Sequence, residues 1–255
     1  MKLSLSNGVF AKSPLEENLG CVKRLGFENM EFNMKCVEEE DEESVYSAKK
    51  LMDFYGLKCL TVHAATLHVS NQHEIPKALY YGKVSADFAR KLSAPVLVVH
   101  SNITRKLPES LRKKFLRTIF GELTPYAKKL RVKPALENLS YASSGYGKNV
   151  AELEEILEVI GDEEMGVTLD FCHAEATGVT FDLLEKYNKR LLNVHLSNRA
   201  HKPFNEESSR LNAFVEKMRE YGYDGPLTLE LSSKCSIKEI AKTKKVLEEA
   251  IRRAA

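Results

Sequence analysis

The sequence predicts a closed (β/α)8 barrel, and three observations carry that expectation. Short apolar or β-branched runs alternate with longer amphipathic runs along the whole chain, the pattern of a parallel sheet covered by helices. Eight such units fit into 255 residues, about 32 residues each, the size of one βα repeat in a closed eight-stranded barrel. No Pro/Gly/Ser-rich linker or low-complexity stretch interrupts them, so one domain over residues 1–255 is expected.

Taken in order, the strand candidates are 2-KLSLS-6, 29-NMEFN-33, 58-KCLTVH-63, 95-PVLVVH-100, 132-VKPALEN-138, 166-GVTLD-170, 191-LLNVH-195 and 226-PLTLEL-231. The second is short and mixed. Between them lie helical patterns. In 14-PLEENLGCVKRLG-26, Leu15, Leu19, Val22 and Leu25 recur at spacings of 4, 3 and 3, one stripe of a helix. The stretch 41-DEESVYSAKKLMDFYG-56 opens with acids and closes with glycine, as a capped helix should. Stretches 75–92, 107–130, 150–160, 180–189, 207–221 and 236–253 repeat the pattern. Pro108 suits a first helical turn, and Ser236 with Glu239 three residues on forms a capping box. The small-residue loop 139-LSYASSGYGKN-149 is expected to be a mobile cover.

Composition narrows the class. The chain is 43% hydrophobic and 29% charged, with 38 basic against 36 acidic residues and a net charge of +2. That balance neither demands nor excludes nucleic acid. No run approaches the roughly 20 apolar residues of a membrane span, and the opening MKLSLSNGVF lacks the sustained apolar stretch of a secretory leader. Five dispersed cysteines, Cys21, Cys36, Cys59, Cys172 and Cys235, form no CxxC pair. They read as reduced thiols, so a soluble, cytoplasmic protein is expected.

A buried parallel strand should be apolar, so polar residues at its end need a reason. Here they gather at the C-terminal ends: His63, His100, Glu137 with Asn138, Asp170, His195 and Glu230. In a closed barrel those ends share one rim, where barrel active sites are built. Taken singly, a strand-end histidine is more often a hydrogen-bonded structural residue, and a strand-end Asp or Glu often caps the next helix. Crowded together, the carboxylates repel one another unless protonated or bound to a cation. A divalent cation resolves that repulsion most simply. Three carboxylates and one imidazole suit Mn, Mg, Co or Zn, and adding His63, His100 and His173 leans toward Zn. Cys172, between Asp170 and His173, reads as packing.

The intervals from Glu137 to Asp170, to His195 and to Glu230 are 33, 25 and 35 residues, each near one βα unit. With the phrases 134-PALEN-138, 168-TLDFCHA-174, 194-VHLSN-198 and 221-YGYDGPLTLEL-231, the ordered set Glu…AspxxHis…His…Glu resembles the xylose isomerase-like TIM-barrel superfamily over nearly the whole chain. That superfamily includes ketose 3-epimerases, hydroxypyruvate isomerase, inosose dehydratase-type proteins and the endonuclease IV family. In the sugar-converting branch, the resemblance implies that Glu137, Asp170, His195 and Glu230 hold one divalent metal. It implies that Glu137 and Glu230 act as acid and base on opposite sides of the bound carbon chain. A sugar or sugar phosphate would then be isomerised or epimerised by proton transfer through a metal-bound enediolate. His173 would orient a substrate oxygen or serve as a further ligand. His63, His100, Asn138 and His201 are additional candidates to bind metal or substrate. His201 stands where the epimerase arginine is expected, with Arg199 nearby.

In the endonuclease IV branch, the resemblance implies instead a zinc-dependent abasic-site DNA repair endonuclease. His63, His100, His173 and His195 fit its histidine positions, while 199-RAHKPFNEESSRLN-212 carries His201 but no AspxHis pair. The basic runs 105-RK-106, 112-RKK-114 and 128-KKLRVK-133 read as solvated faces rather than a phosphate path. A third expectation is a barrel that keeps the pocket but binds, or dehydrates, another small molecule. The expected partner is a small carbohydrate, with DNA only under the endonuclease reading and no membrane. A homo-oligomer is compatible with all three.

Overall fold

The computed structural model describes residues 1–37, 41–161, 163, 165–206 and 208–254. Eight strands, β1 (Lys2–Ser6), β2 (Asn29–Asn33), β3 (Lys58–His63), β4 (Val96–Val99), β5 (Lys133–Glu137), β6 (Gly166–Asp170), β7 (Leu191–Leu196) and β8 (Pro226–Leu229), pair in chain order into a closed barrel. Every pairing is parallel. The barrel closes where β1 meets β8, with Lys2 opposite Pro226 and Leu5 opposite Leu229. The expected eight-strand order is therefore the observed one.

Helices α1 (Leu15–Arg24), α2 (Glu42–Tyr55), α3 (Ile75–Lys91), α4 (Glu109–Lys129) and α5 (Val150–Ile160) follow the first five strands. After β6 come α6 (Phe171–Thr177) and α7 (Thr180–Tyr187), and then α8 (Ser209–Glu220) and α9 (Ile237–Arg253). Their ends obey local chemistry. Asp41 caps α2 by accepting from Ser44 N, and Gly56 ends it in the left-handed conformation at φ 62°. Ser236 and Glu239 form the capping box of α9. The stretch expected to be helical from residue 207 starts at Ser209 behind the cap Ser208, and Glu207 lies outside the described residues. The short α6 was not expected: seven residues are too few to show a helical period.

Two packing layers follow from the alternation along each strand. Leu5, Met30, Phe32, Leu97 and Leu227 are fully buried between the sheet and its helices, and Phe32 stacks on Phe88 of α3 at 6.3 Å. Burying one such side chain contributes about 1.5–3 kcal/mol. The alternate positions face the barrel interior, where Val96, Val98 and Ala135 are apolar but Ser4, Glu31, Thr61, Thr168, Asn193 and Thr228 are polar and fully buried. Two of these contacts are direct, Thr228 Oγ1 to Asn193 Oδ1 at 3.0 Å and Thr61 Oγ1 to Glu31 Oε2 at 2.8 Å. Among the described residues no helix is long and apolar enough to cross a membrane.

Segment 139–149 differs from the mobile cover expected of its small residues. Leu139 N donates to Gly147 O, Arg105 N to Ser144 O, and Tyr146 N to Ile103 O. Glu152, in the first turn of α5, accepts from Gly147 N and Lys148 N, both at 2.9 Å. Gly145 and the positive φ of Gly147 (123°) let the chain pass close to Asn102 and Ser101. The segment is fastened to the neighbouring loop by its own backbone.

Candidate metal centre

The parallel register brings the strand ends to one pole. Glu137 and Asp170 are the last residues of β5 and β6, and His195 sits one residue before the end of β7, directly opposite Asp170. Glu230 follows β8 and is tied to β7 by its backbone N–H on Leu196 O. His195 Nδ1 lies 3.3 Å from Glu137 Oε1, 3.4 Å from Glu230 Oε2 and 4.0 Å from Asp170 Oδ2. One ligand atom from each of these four residues falls within 4.8 Å of all the others. His63 Nε2 approaches Glu137 Oε2 at 3.4 Å and Glu230 Oε1 at 3.8 Å, and His100 Nε2 approaches Glu137 Oε2 at 2.9 Å. His63, His100 and Glu137 form a second compact group, and Asp170, His173 and His201 a third.

The donors fit a hard or borderline divalent cation. Glu137 Oε1 and Oε2, Asp170 Oδ2 and His195 Nδ1 are buried without a hydrogen-bond partner of good geometry. Buried polar atoms are almost always partnered, and here four orphans face one another. Asp170 shows the division most clearly. Its Oδ1 caps α6 by accepting from His173 N at 2.6 Å, the bland role of a strand-end acid. Its Oδ2 is left for the cluster. Oxygen-rich donors with one imidazole suit Mg, Mn, Co or Zn.

Electrostatics point the same way. Burial alone would raise the pKa of Glu137, but His195 and His100 beside it hold it well below the ordinary value. Glu230 is likewise raised by burial and brought down to about 2, chiefly by His195. Asp170 goes the other way: burial first, then Glu137 and Glu230, push it well above the ordinary carboxylate range. Burial opposes protonation of His195 and His63, yet the surrounding carboxylates lift His195 well above the ordinary imidazole value and His63 to about 9. Without a cation, the cluster therefore holds protons in the place of positive charge.

Other expected residues take distinct places. Asn138 stays out of the cluster: its side chain bridges the backbone of Asp170, accepting from N at 2.7 Å and donating to O at 3.1 Å. His173 donates Nδ1–H to Asn138 O at 2.9 Å, which leaves Nε2 facing His201 Nε2 at 3.1 Å. His201 is on the rim, with Nδ1 3.2 Å from Glu230 O, and its backbone is left-handed (φ 52°), as is that of Ala200 (φ 61°). Arg199 is exposed. The sequence reading missed Glu31. It is fully buried at the middle of β2, and its Oε2 lies 2.9 Å from His195 Nε2. Burial would raise its pKa, but His195 outweighs that and lowers it. The available signal was the alternation Asn29, Glu31, Asn33 on the interior face.

A family model described as xylose isomerase-like TIM barrel matches residues 20–254. An uncharacterized protein of Methanocaldococcus jannaschii is 24% identical over 264 residues, covering 98% of this chain and 89% of its own. Among solved structures, a D-tagatose 3-epimerase-like protein superposes with a TM-score of 0.84 at 21% identity, over 100% of this chain and 98% of that one. An L-ribulose 3-epimerase gives 0.84 at 14% identity, over 100% and 96%. A 3-keto-D-glucoside 4-epimerase from E. coli gives 0.80 at 15% identity, over 98% of each chain.

Proposed function

The chain belongs to the xylose isomerase-like TIM barrel family, and from that premise we propose that it is a single-domain, divalent-metal-dependent isomerase or epimerase of a sugar or sugar phosphate. The observation that carries this reading is the convergence of Glu137, Asp170, His195 and Glu230, each with a ligand atom within 4.8 Å of the rest. The epimerases among the similar folds support the choice of chemistry.

A metal held by those four residues would polarise a substrate carbonyl and lower the acidity barrier at the neighbouring carbon. Glu230 is the base nearest solvent, its side chain 16% exposed against 1% for Glu137. It takes the proton from the carbon beside the carbonyl. Glu137 returns a proton from the other side of the carbon chain, and which carbon or face receives it decides between isomerisation and epimerisation. His173 and His201 orient substrate oxygens through their facing Nε2 atoms. The Glu137 carboxylate is kept ionised by His195 and His100, so the proton it returns is one it first takes from His63, which is lifted to about 9 and has Nε2 3.4 Å from Glu137 Oε2. Solvent then reprotonates His63 and removes the proton from Glu230.

The test is metal content by mass spectrometry together with proton NMR in D2O over a panel of ketoses and ketose phosphates. One ion per chain and deuterium incorporation beside the carbonyl are expected. No bound ion, or no exchange with any member of the panel, overturns the reading. One observation favours a second reading: the groups His63–His100–Glu137 and Asp170–His173–His201 could each hold a further ion, as a zinc-dependent abasic-site endonuclease would need. Three zinc ions and cleavage of an abasic duplex would put that activity first.

A further inference from the structure

We propose that Glu31 is the positioning residue of this centre: it binds the Nε2–H of His195 and thereby turns Nδ1, with its lone pair, toward Glu137, Asp170 and Glu230. The inference rests on reading that cluster as a metal site. Its basis is geometric. Glu31 stands on β2 and His195 on β7, strands that are not neighbours in the barrel, so their 2.9 Å contact crosses the interior. The carboxylate is fixed from a third strand, because Thr61 Oγ1 on β3 donates to the same Oε2 at 2.8 Å. All three side chains are fully buried. A neutral imidazole has one donor and one acceptor nitrogen, and the partner of one decides the role of the other. With Nε2 as the donor to Glu31, Nδ1 is the acceptor. That nitrogen has no hydrogen-bond partner and sits 3.3 to 4.0 Å from the three remaining ligand candidates.

A buried ion pair placed only for stability would be indifferent to which nitrogen it used. Here the choice of nitrogen points the other lone pair at the cluster, and a carboxylate behind a ligating histidine also raises its basicity as a donor. Losing such an outer partner typically weakens metal binding about 10–100-fold.

The experiment compares the whole wild-type chain with Glu31→Gln and Glu31→Ala, using zinc affinity by chelator competition and nitrogen-15 NMR of labelled histidine. In the metal-free wild type, His195 is expected to keep a slowly exchanging proton on Nε2, and that proton persists when zinc is added. Gln, whose amide oxygen can still accept, should preserve the Nε2–H signal and most of the affinity. Ala should lose the signal and bind zinc about 10–100-fold more weakly. A proton on Nδ1 and none on Nε2 in the zinc-loaded protein, or an Ala variant of native circular dichroism with wild-type zinc affinity, overturns the proposal. If Ala does not fold, the wild-type spectrum and the Gln variant decide. A wild type that binds no divalent ion defeats the metal reading itself, while survival or loss of the slowly exchanging Nε2–H in Glu31→Ala still decides whether Glu31 holds it.

Discussion

Glu137 and Glu152 are both buried carboxylates, 1% and 8% exposed, in successive parts of the same βα unit. Glu152 has a donor for each oxygen: Arg105 pairs with Oε1, and Gly147 N and Lys148 N donate to Oε2. Neither oxygen of Glu137 has a hydrogen-bond partner of good geometry, and four histidines and two acids surround it. The first carboxylate is a strut that fastens a loop to a helix. The second is incomplete on its own, because a buried charge is tolerated only when it is paired or coordinated. What separates structure from function here is the satisfaction of the group, not its burial.

That contrast can be broken by exchanging the two outcomes. Glu137→Gln should weaken zinc or manganese binding at least about 100-fold, beyond the usual loss for an outer-shell partner, and leave no measurable turnover. Its melting temperature without metal should fall, since the buried charge that His195 and His100 hold ionised is gone and those imidazoles lose a partner. A variant that still binds one ion tightly would remove Glu137 from the centre. Glu152→Ala should do the reverse. Stranding Gly147 N, Lys148 N and Arg105 should cost about 1–3 kcal/mol in urea unfolding, with metal affinity of the folded protein unchanged.

The pH response sharpens the same distinction. His195 and Asp170 both sit well above their ordinary values when no cation is present. Each therefore takes up its proton at a higher pH than an ordinary carboxylate or imidazole, and a metal must displace that proton. Affinity should fall as pH falls, by up to about tenfold per pH unit for each proton displaced. Calorimetry in buffers of different ionisation enthalpy should register net proton release on binding, and none would mean that the cluster is already deprotonated. The smallest effect belongs far from the pole. Ser236→Ala removes the cap of α9 and should cost about 1 kcal/mol, with no change in metal affinity.

Much of this arrangement is legible in the sequence, for physical reasons. Continuous apolar runs such as Val96–Val99 announce strands buried on both faces, and the acids and histidines at strand ends stand out against them. The pole they share follows from parallel closure alone. Glu31 is harder to see because Asn29-Met-Glu-Phe-Asn33 alternates like a half-exposed strand. In this barrel the polar side of that alternation faces a closed interior instead of water. Segment 139–149 is hard to read for a related reason: small polar residues signal a loop, but not the buried Glu152 acceptor that pins it. The dual role of Asp170, one oxygen on a helix cap and one in the cluster, is invisible without coordinates.

Closure of β8 between β7 and β1 has a consequence for biosynthesis. A nascent chain that has emerged from the ribosome only as far as α8 possesses Glu137, Asp170 and His195 but lacks Glu230 and the strand that joins the two halves of the sheet. Contacts between distant parts of a sequence form late. A site that needs a ligand atom from all four residues is thus complete only after β8 and Glu230 have been translated.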